Sequence, residues 1–186
     1  MDKFTSRLML GVCTLGVGLG NPCQSYSQEL DLLNVSVRSR VSDETVLGND
    51  APEFFTESDI AFNFRLPWSN QSSSGWSTRL MMSMGALQGA DKKALVVSAI
   101  PELVLGGESG RYEVDLGVGA ALFSRYKFGI QDFGGPFQFA LTLGGSTPVH
   151  ESFRLGYRFL HYSDWAGYGP HTTGADFHMI ELIHTF

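Results

Sequence analysis

Eight segments of alternating apolar and polar side chains constrain this chain more than any other feature. A period of two residues is typical of β-strands whose two faces meet different surroundings. Most of the segments are close to the ~9–11 residues that a tilted strand needs to cross a bilayer. They lie at 33–41, 60–68, 76–87, 94–106, 112–122, 137–143, 153–163 and 176–186. The pattern therefore predicts an all-β chain built from antiparallel strands.

The distribution of charge between the two faces separates a soluble barrel from a membrane barrel. Charged residues gather on the polar faces, while the apolar faces are nearly free of charge; the polar faces carry Arg65, Arg79, Glu102, Arg111, Glu113, Asp115 and Arg158. An outward arginine near the bilayer midplane costs ~2–4 kcal/mol, so the polar faces should line the lumen and the apolar faces should contact lipid. The chain also ends on an aromatic residue, Phe186, and an even number of strands closes without a free edge. We predict an eight-stranded antiparallel transmembrane β-barrel of the outer-membrane type.

The N-terminal segment has the organisation of a secretory signal peptide. Two basic residues, Lys3 and Arg7, precede an uncharged apolar run, Leu8–Gly20, which is too short for a spanning helix. Small residues suited to cleavage end at Ser27. We predict a signal peptide over 1–27 followed by one barrel domain over 28–186, with an N-terminal membrane anchor as the alternative.

Charge and cysteine content exclude several classes of partner and site. Removal of the predicted signal peptide, which carries two basic residues and one acidic residue, takes the formal charge from −6 to −7. An acidic chain without a basic stripe argues against nucleic-acid binding. Both cysteines, Cys13 and Cys23, lie in that peptide, so we expect neither disulfides nor cysteine-ligated metals. His178 and His184 share a face but stand six residues apart, and we expect no metal site there.

Three residues with the chemistry of an esterase lie on the apolar faces of the last two segments. In the seventh segment the apolar phase of Phe159 continues to His161 and Ser163. In the eighth, the phase that carries Ile180 also carries Asp176. A base, a hydroxyl and an acid should therefore converge at one end of a neighbouring strand pair, on the outside of the barrel.

The same region resembles a known family. Within Gly156–Asp176, the motifs His161-Tyr162-Ser163, Ala166-Gly167 and Gly174-Ala175-Asp176 are similar to the signature of the lipid A 3-O-deacylase (PagL) family. The resemblance covers the C-terminal part of the chain, together with the eight-strand plan and the signal peptide. It implies a serine esterase in the cell outer membrane that removes the ester-linked 3-position acyl chain of lipid A. Its partner would be the lipopolysaccharide of the outer leaflet, and no cofactor would be needed.

The resemblance also implies residue roles. Ser163 would be the nucleophile, His161 the base that takes its proton, and Asp176 the acid that orients the imidazole, where many relatives carry Glu. The oxyanion would be bound around Asp164, Ala166 and Gly167. The family commonly has Asn at the position of Asp164, and an ionised carboxylate cannot donate a hydrogen bond to an oxyanion.

A non-enzymatic barrel is the alternative interpretation. Such a protein would act structurally or as an adhesin through its extracellular loops. His161 and Ser163 would then be ordinary residues at the membrane interface, beside aromatic residues such as Trp165 and Tyr168. The enzymatic interpretation makes a geometric demand: His161, Ser163 and Asp176 must lie outside the barrel near its extracellular rim, with the Ser163 hydroxyl within hydrogen-bond reach of the His161 ring.

Overall fold

The computed structural model describes residues 7–11, 27–47, 53–66, 75–106, 111–164, 167–169 and 172–186. Eleven strands are formed within these ranges: β1 (Arg7–Gly11), β2 (Ser27–Ser42), β3 (Phe55–Arg65), β4 (Trp76–Gly89), β5 (Lys92–Leu105), β6 (Glu113–Phe123), β7 (Lys127–Phe128), β8 (Gln131–Asp132), β9 (Phe137–His150), β10 (Phe153–Ser163) and β11 (Ala175–Thr185). In this part of the chain no helix is long and apolar enough to cross a membrane.

Eight of the strands close into an antiparallel barrel. Around the ring they follow the order β2, β11, β10, β9, β6, β5, β4, β3, and β3 pairs with β2 to complete it. Closure satisfies the backbone hydrogen bonds of every strand, as a bilayer requires. The predicted eight-stranded barrel is therefore confirmed. The ninth strand of the sheet, β1, pairs only with residues 27–31 of β2, so cleavage after Ser27 would remove β1 without opening the ring.

The outward face has the predicted phase over most of the barrel. Alternate residues such as Val37, Ile60, Met84 and Leu182 are exposed, and their neighbours are buried in the lumen. The lower end of β3 and the residue after it differ: Phe64 and Leu66 share the apolar phase of Ile60, which was predicted to contact lipid, but both are buried. They lie where the β2–β3 register shifts between Leu32 and Asn34, and such a bulge interrupts regular alternation. Trp68, expected on the same face, is outside the described residues.

Several predicted boundaries also shift. Strand β9 continues to His150, so the turn expected at 146–150 is formed instead by Glu151 and Ser152. The segment after β6, expected to be a loop, contains the small hairpin of β7 and β8. We call the end of the barrel that carries residues 43–47, 53–54, 90–91, 124–136, 167–169 and 172–174 the upper end, and the opposite end the lower end.

Ion pairs fill the lower and middle lumen. We call the set Arg38, Asp59, Arg79, Glu102, Asp115, Arg158 and Glu181 the charge layer; all seven side chains are buried. Arg158 is at its centre and contacts Glu102, Asp115 and Glu181, each at 2.8 Å. Three predicted members are absent from it. The Glu113 side chain is 23% exposed and lies at its edge, 3.5 Å from Arg79. The Arg65 side chain is 43% exposed beside Asp31 at the lower end, and Arg111 is exposed outside the strands.

Aromatic side chains fill the upper lumen, where the sequence had indicated only polar contents. We call Phe55, Phe123, Phe128, Phe133, Tyr162 and Phe177 the aromatic plug; all six are buried. Phe128 and Phe133 come from the β7–β8 segment and pack edge-on against Phe55 and Phe123, with ring centroids 5.2 Å and 5.1 Å apart. The hairpin thus folds over the upper end of the lumen and closes it.

The charge layer predicts a large stability cost for one substitution. Arg158→Met should take one cationic partner from each of the Glu102, Asp115 and Glu181 carboxylates, and breaking such a buried pair costs about 3–5 kcal/mol. The measurement is the free energy of unfolding in urea, with the purified barrel in detergent micelles. Arg125→Met, at an exposed arginine, is the matched control and should be nearly neutral. Equal stability of the two variants would contradict the central role of Arg158.

Candidate active site

The register of β10 against β11 brings the predicted base and acid together. His161 and Asp176 are direct partners across the two strands, on the outward face near the upper end. The His161 Nδ1 atom and the Asp176 Oδ1 atom are 2.5 Å apart. The Asp176 side chain is 1% exposed, whereas that of His161 is 14% exposed. The imidazole is therefore hydrogen-bonded to a buried carboxylate on one side, while the ring itself is partly exposed at the outer surface.

Ser163 lies beside this pair, two residues beyond His161 and on the same face. It is the last residue of β10 and is partly exposed, and its pairing partner on β9 is Phe139. The contacts of the described residues include no hydrogen bond between the Ser163 hydroxyl and the His161 ring, so that bond stays a prediction. A serine hydroxyl changes its position by rotation about one side-chain bond, and catalytic hydrogen bonds are often long before substrate binds.

Tyr162, which lies between His161 and Ser163 on β10, fixes the orientation of this part of the strand. Its side chain points inward, is fully buried in the aromatic plug and packs against Phe123 and Phe177, at 5.0 Å and 5.5 Å between ring centroids. Its hydroxyl donates to Glu57 at 3.3 Å. Because side chains alternate along a strand, an inward Tyr162 holds His161 and Ser163 outward.

Asp164 organises the loop that follows β10. Its Oδ2 atom accepts hydrogen bonds from the Thr172 hydroxyl at 2.6 Å and from the Tyr168 N–H at 3.1 Å. Its backbone carbonyl accepts the Gly167 N–H at 2.9 Å. Among the predicted oxyanion residues, Asp164 is therefore a hydrogen-bond acceptor and Gly167 already donates within the loop. Ala166 is outside the described residues.

Gly174, on the other side of the loop, lies against the His161 ring. A Cβ atom at this position would be 2.7 Å from the Tyr162 carbonyl oxygen, 3.0 Å from His161 Cε1 and 3.3 Å from His161 Nε2. The Gln131 side chain donates to the Thr173 carbonyl at 2.8 Å and to the Gly174 carbonyl at 3.3 Å, which ties this backbone to the β7–β8 hairpin. The sequence motif contained Gly174, but only the structure shows that the missing side chain leaves room for the imidazole.

Residues 43–47 cross the outer face of β11, a contact that sequence reasoning missed. The backbone N–H groups of Val46 and Leu47 donate to Asp176 Oδ2 at 2.6 Å and 2.7 Å. His178, considered above only as a metal ligand, contacts the Glu44 carbonyl oxygen through Nε2 at 2.9 Å. In the described ranges, no group of three or more His, Cys, Asp or Glu side chains is placed to hold a metal ion.

Comparison with known proteins assigns the family. The model of the family described as lipid A 3-O-deacylase (PagL) matches residues 53–185, which is most of the chain and includes all three candidate residues. The chain belongs to the lipid A 3-O-deacylase (PagL) family. The resemblance found in the C-terminal sequence is thereby confirmed over nearly the whole barrel.

Individual relatives agree with this assignment. The lipid A deacylase PagL of Bordetella bronchiseptica is 29% identical over 136 residues, which cover 68% of this chain and 74% of that protein. The crystal structure of the outer membrane enzyme PagL superposes with a TM-score of 0.62 at 17% identity, covering 82% of this chain and 99% of that one. The outer membrane protein Ail of Yersinia pestis has a TM-score of 0.50 at 11% identity, covering 83% and 99%. The structural likenesses show the shared barrel fold.

The contact between Gly174 and the His161 ring predicts a strong effect of one methyl group. Gly174→Ala should displace the His161 ring or the Tyr162 backbone, and misplacing a catalytic group by about 1 Å can cost ~10²-fold. The measurement is the rate of fatty acid release from purified lipid A in detergent. The matched control is Gly145→Ala on the same outer surface, because a Cβ there meets nothing closer than 3.9 Å. Equal rates for the two variants would show that Gly174 does not position the ring.

Proposed function

We propose that this PagL-family barrel is a serine esterase of the cell outer membrane that hydrolyses the ester of the 3-position acyl chain of lipid A. The observation that carries the proposal is the hydrogen-bonded pair of His161 and Asp176 beside Ser163 on the outward face of the barrel. The barrel closes through its strand pairing, and a base and an acid on its outer face are not needed for that closure. They suit a reaction whose substrate is itself a lipid.

In the first half of the proposed reaction, Ser163 attacks the ester. Asp176 accepts the Nδ1–H of His161, which leaves Nε2 unprotonated and able to take the proton of the Ser163 hydroxyl. The Oγ atom forms a bond to the ester carbonyl carbon, and the C–O bond to the sugar then breaks. His161 returns the proton to the leaving 3-hydroxyl group. The acyl chain is now esterified to Ser163.

In the second half, water replaces the sugar. His161 takes a proton from the water, the resulting oxygen attacks the acyl carbonyl, and the bond to Ser163 Oγ breaks as the proton returns to that oxygen. The products are a free fatty acid and regenerated enzyme. A transesterification followed by a hydrolysis of this kind needs neither a metal nor a redox cofactor.

The oxyanion formed in each half requires hydrogen-bond donors. Asp164 cannot supply one while it is ionised, and its Oδ2 atom is already an acceptor for Thr172 and Tyr168. We therefore assign the donors to the backbone N–H groups of Ala166 and Gly167. The Gly167 N–H would have to exchange its bond with the Asp164 carbonyl for one with the oxyanion.

The position of the site defines how substrate would arrive. With the upper end directed outward from the cell, the three residues lie at the level of the outer leaflet, where lipopolysaccharide is found. Lipid A would diffuse sideways to the surface of β9 and β10, where Phe139, Leu141 and Phe159 surround the site. No passage through the lumen is required, in agreement with a lumen closed by the aromatic plug and the charge layer.

The mass of lipid A tests the proposal. Cells that produce the wild-type barrel should contain lipid A lighter by one 3-position acyl chain, and Ser163→Ala or His161→Ala should restore the unmodified mass. Loss of either residue should lower the rate with purified substrate by about 10⁴-fold or more, and the two losses should not add because the residues act together.

The controls separate the two interpretations of this barrel. Ser58→Ala, at an exposed serine of β3, should modify lipid A as the wild type does. If the wild-type protein is folded in the outer membrane and removes no acyl chain, the non-enzymatic interpretation gains. If Ser163→Ala still removes the chain, another nucleophile carries the reaction.

A further inference from the structure

The first upper loop contacts the proposed acid directly. We call residues 43–47 the strap. It follows β2, which ends at Ser42, and crosses the outer face of β11. The Val46 and Leu47 N–H groups both donate to Oδ2 of Asp176, at 2.6 Å and 2.7 Å, while Oδ1 faces His161. The acid is thus held from both sides, by the strap and by the imidazole.

Without the strap this carboxylate would be open to its surroundings. Asp176 belongs to the outward phase of β11, in which Ile180 and Leu182 are 42% and 50% exposed, yet its own side chain is 1% exposed. Two backbone N–H donors on one oxygen hold the carboxylate in a single orientation. The strap therefore both covers the acid and fixes the direction of its Oδ1 atom.

Two further contacts hold the strap in place. His178, on the outward face two residues after Asp176, donates its Nε2–H to the Glu44 carbonyl at 2.9 Å, and its Nδ1 accepts a hydrogen bond from the Tyr157 hydroxyl. The Arg40 guanidinium donates to the carbonyls of Ser42, at 2.8 Å, and Phe55. These two carbonyls belong to the last residue of β2 and the first residue of β3, so both ends of the first loop are tied to the barrel rim.

We propose that the strap is part of the catalytic apparatus. Val46 and Leu47 are positioning residues, which act on Asp176 through their backbone N–H groups. His178 holds the strap in place through its hydrogen bond to the Glu44 carbonyl. The inference rests on the proposed function. It also adds to it, because the strap precedes residue 53, where the match to the family begins. The device uses main-chain donors and therefore leaves no motif in the sequence.

Hydrogen exchange tests the contact without reference to activity. In the wild-type barrel in micelles, the Val46 and Leu47 amides should exchange slowly, and Asp176→Ala should speed both by at least about tenfold. The Leu95 amide, bonded to the Ser124 side chain on another part of the barrel, is the internal reference and should not change. Unchanged exchange at 46 and 47 in Asp176→Ala would overturn the proposal.

Kinetics test the positioning role. Leu47→Pro removes one N–H donor and should lower kcat for lipid A by about ten- to a hundredfold with little change in KM, whereas Leu47→Ala keeps the donor and should lose less than about threefold. In the Asp176→Ala background Leu47→Pro should have no further effect, because both changes act through one group. Additive losses would show general damage and contradict the inference.

A different result would separate the inference from the proposed function. If the wild-type barrel shows the exchange difference but removes no acyl chain, the contact between the strap and Asp176 is confirmed, while the proposed function and the catalytic role of the strap are refuted.

Discussion

The pairing register of β10 and β11 is the constraint on which the site depends. In this register His161 is opposite Asp176, and both side chains point outward. A slip of one residue would turn one partner of the pair into the lumen, because side chains alternate with a period of two. The lumen resists such a slip from within. Two lumen contacts join the same two strands: the ion pair of Arg158 with Glu181 and the ring contact of Tyr162 with Phe177. These contacts inside the barrel therefore fix the register that places His161 opposite Asp176 on the outside.

The two layers of the lumen divide this task. The charge layer fixes the middle of the barrel through bidentate and shared ion pairs, whose directions tolerate little rearrangement. The aromatic plug fixes the upper end, where strands give way to loops. The β7–β8 hairpin then holds the loop after β10 from above, through Gln131 and through the Thr173 N–H bonded to the Asp132 carbonyl. The position of the candidate site on the outer surface thus depends on packing inside the barrel.

The sequence predicted the parts of this structure that side-chain periodicity encodes. The alternation at Phe159, His161 and Ser163 was sufficient to place these residues on one face, and the barrel followed from eight such segments. Contacts made by backbone groups were not predictable. Val46 and Leu47 bind Asp176 through N–H groups that nearly any residue has, and the segment looked like a polar loop.

Residue type alone also misleads where partners decide the role. For Asp164 the sequence raised only its unsuitability as an oxyanion donor, and it did not predict that the carboxylate accepts hydrogen bonds from Thr172 and Tyr168 and so shapes the loop. Phe128 and Phe133 belonged to a segment read as a surface loop, yet both rings are fully buried. Arg65 was assigned to the lumen, but it lies at the end of β3, where water can solvate it. Alternation predicts the face of a residue and not what covers it.

Covalent labelling tests most directly whether Ser163 is a nucleophile activated by His161. An alkyl fluorophosphonate with a lipid-like chain reacts with activated serine hydroxyls and can be located by mass spectrometry of the digested barrel. We predict one adduct, on Ser163, that is lost in His161→Ala and retained in Gly145→Ala. An adduct on a different serine, or a protein that deacylates lipid A while Ser163 remains unlabelled, would contradict the central claim.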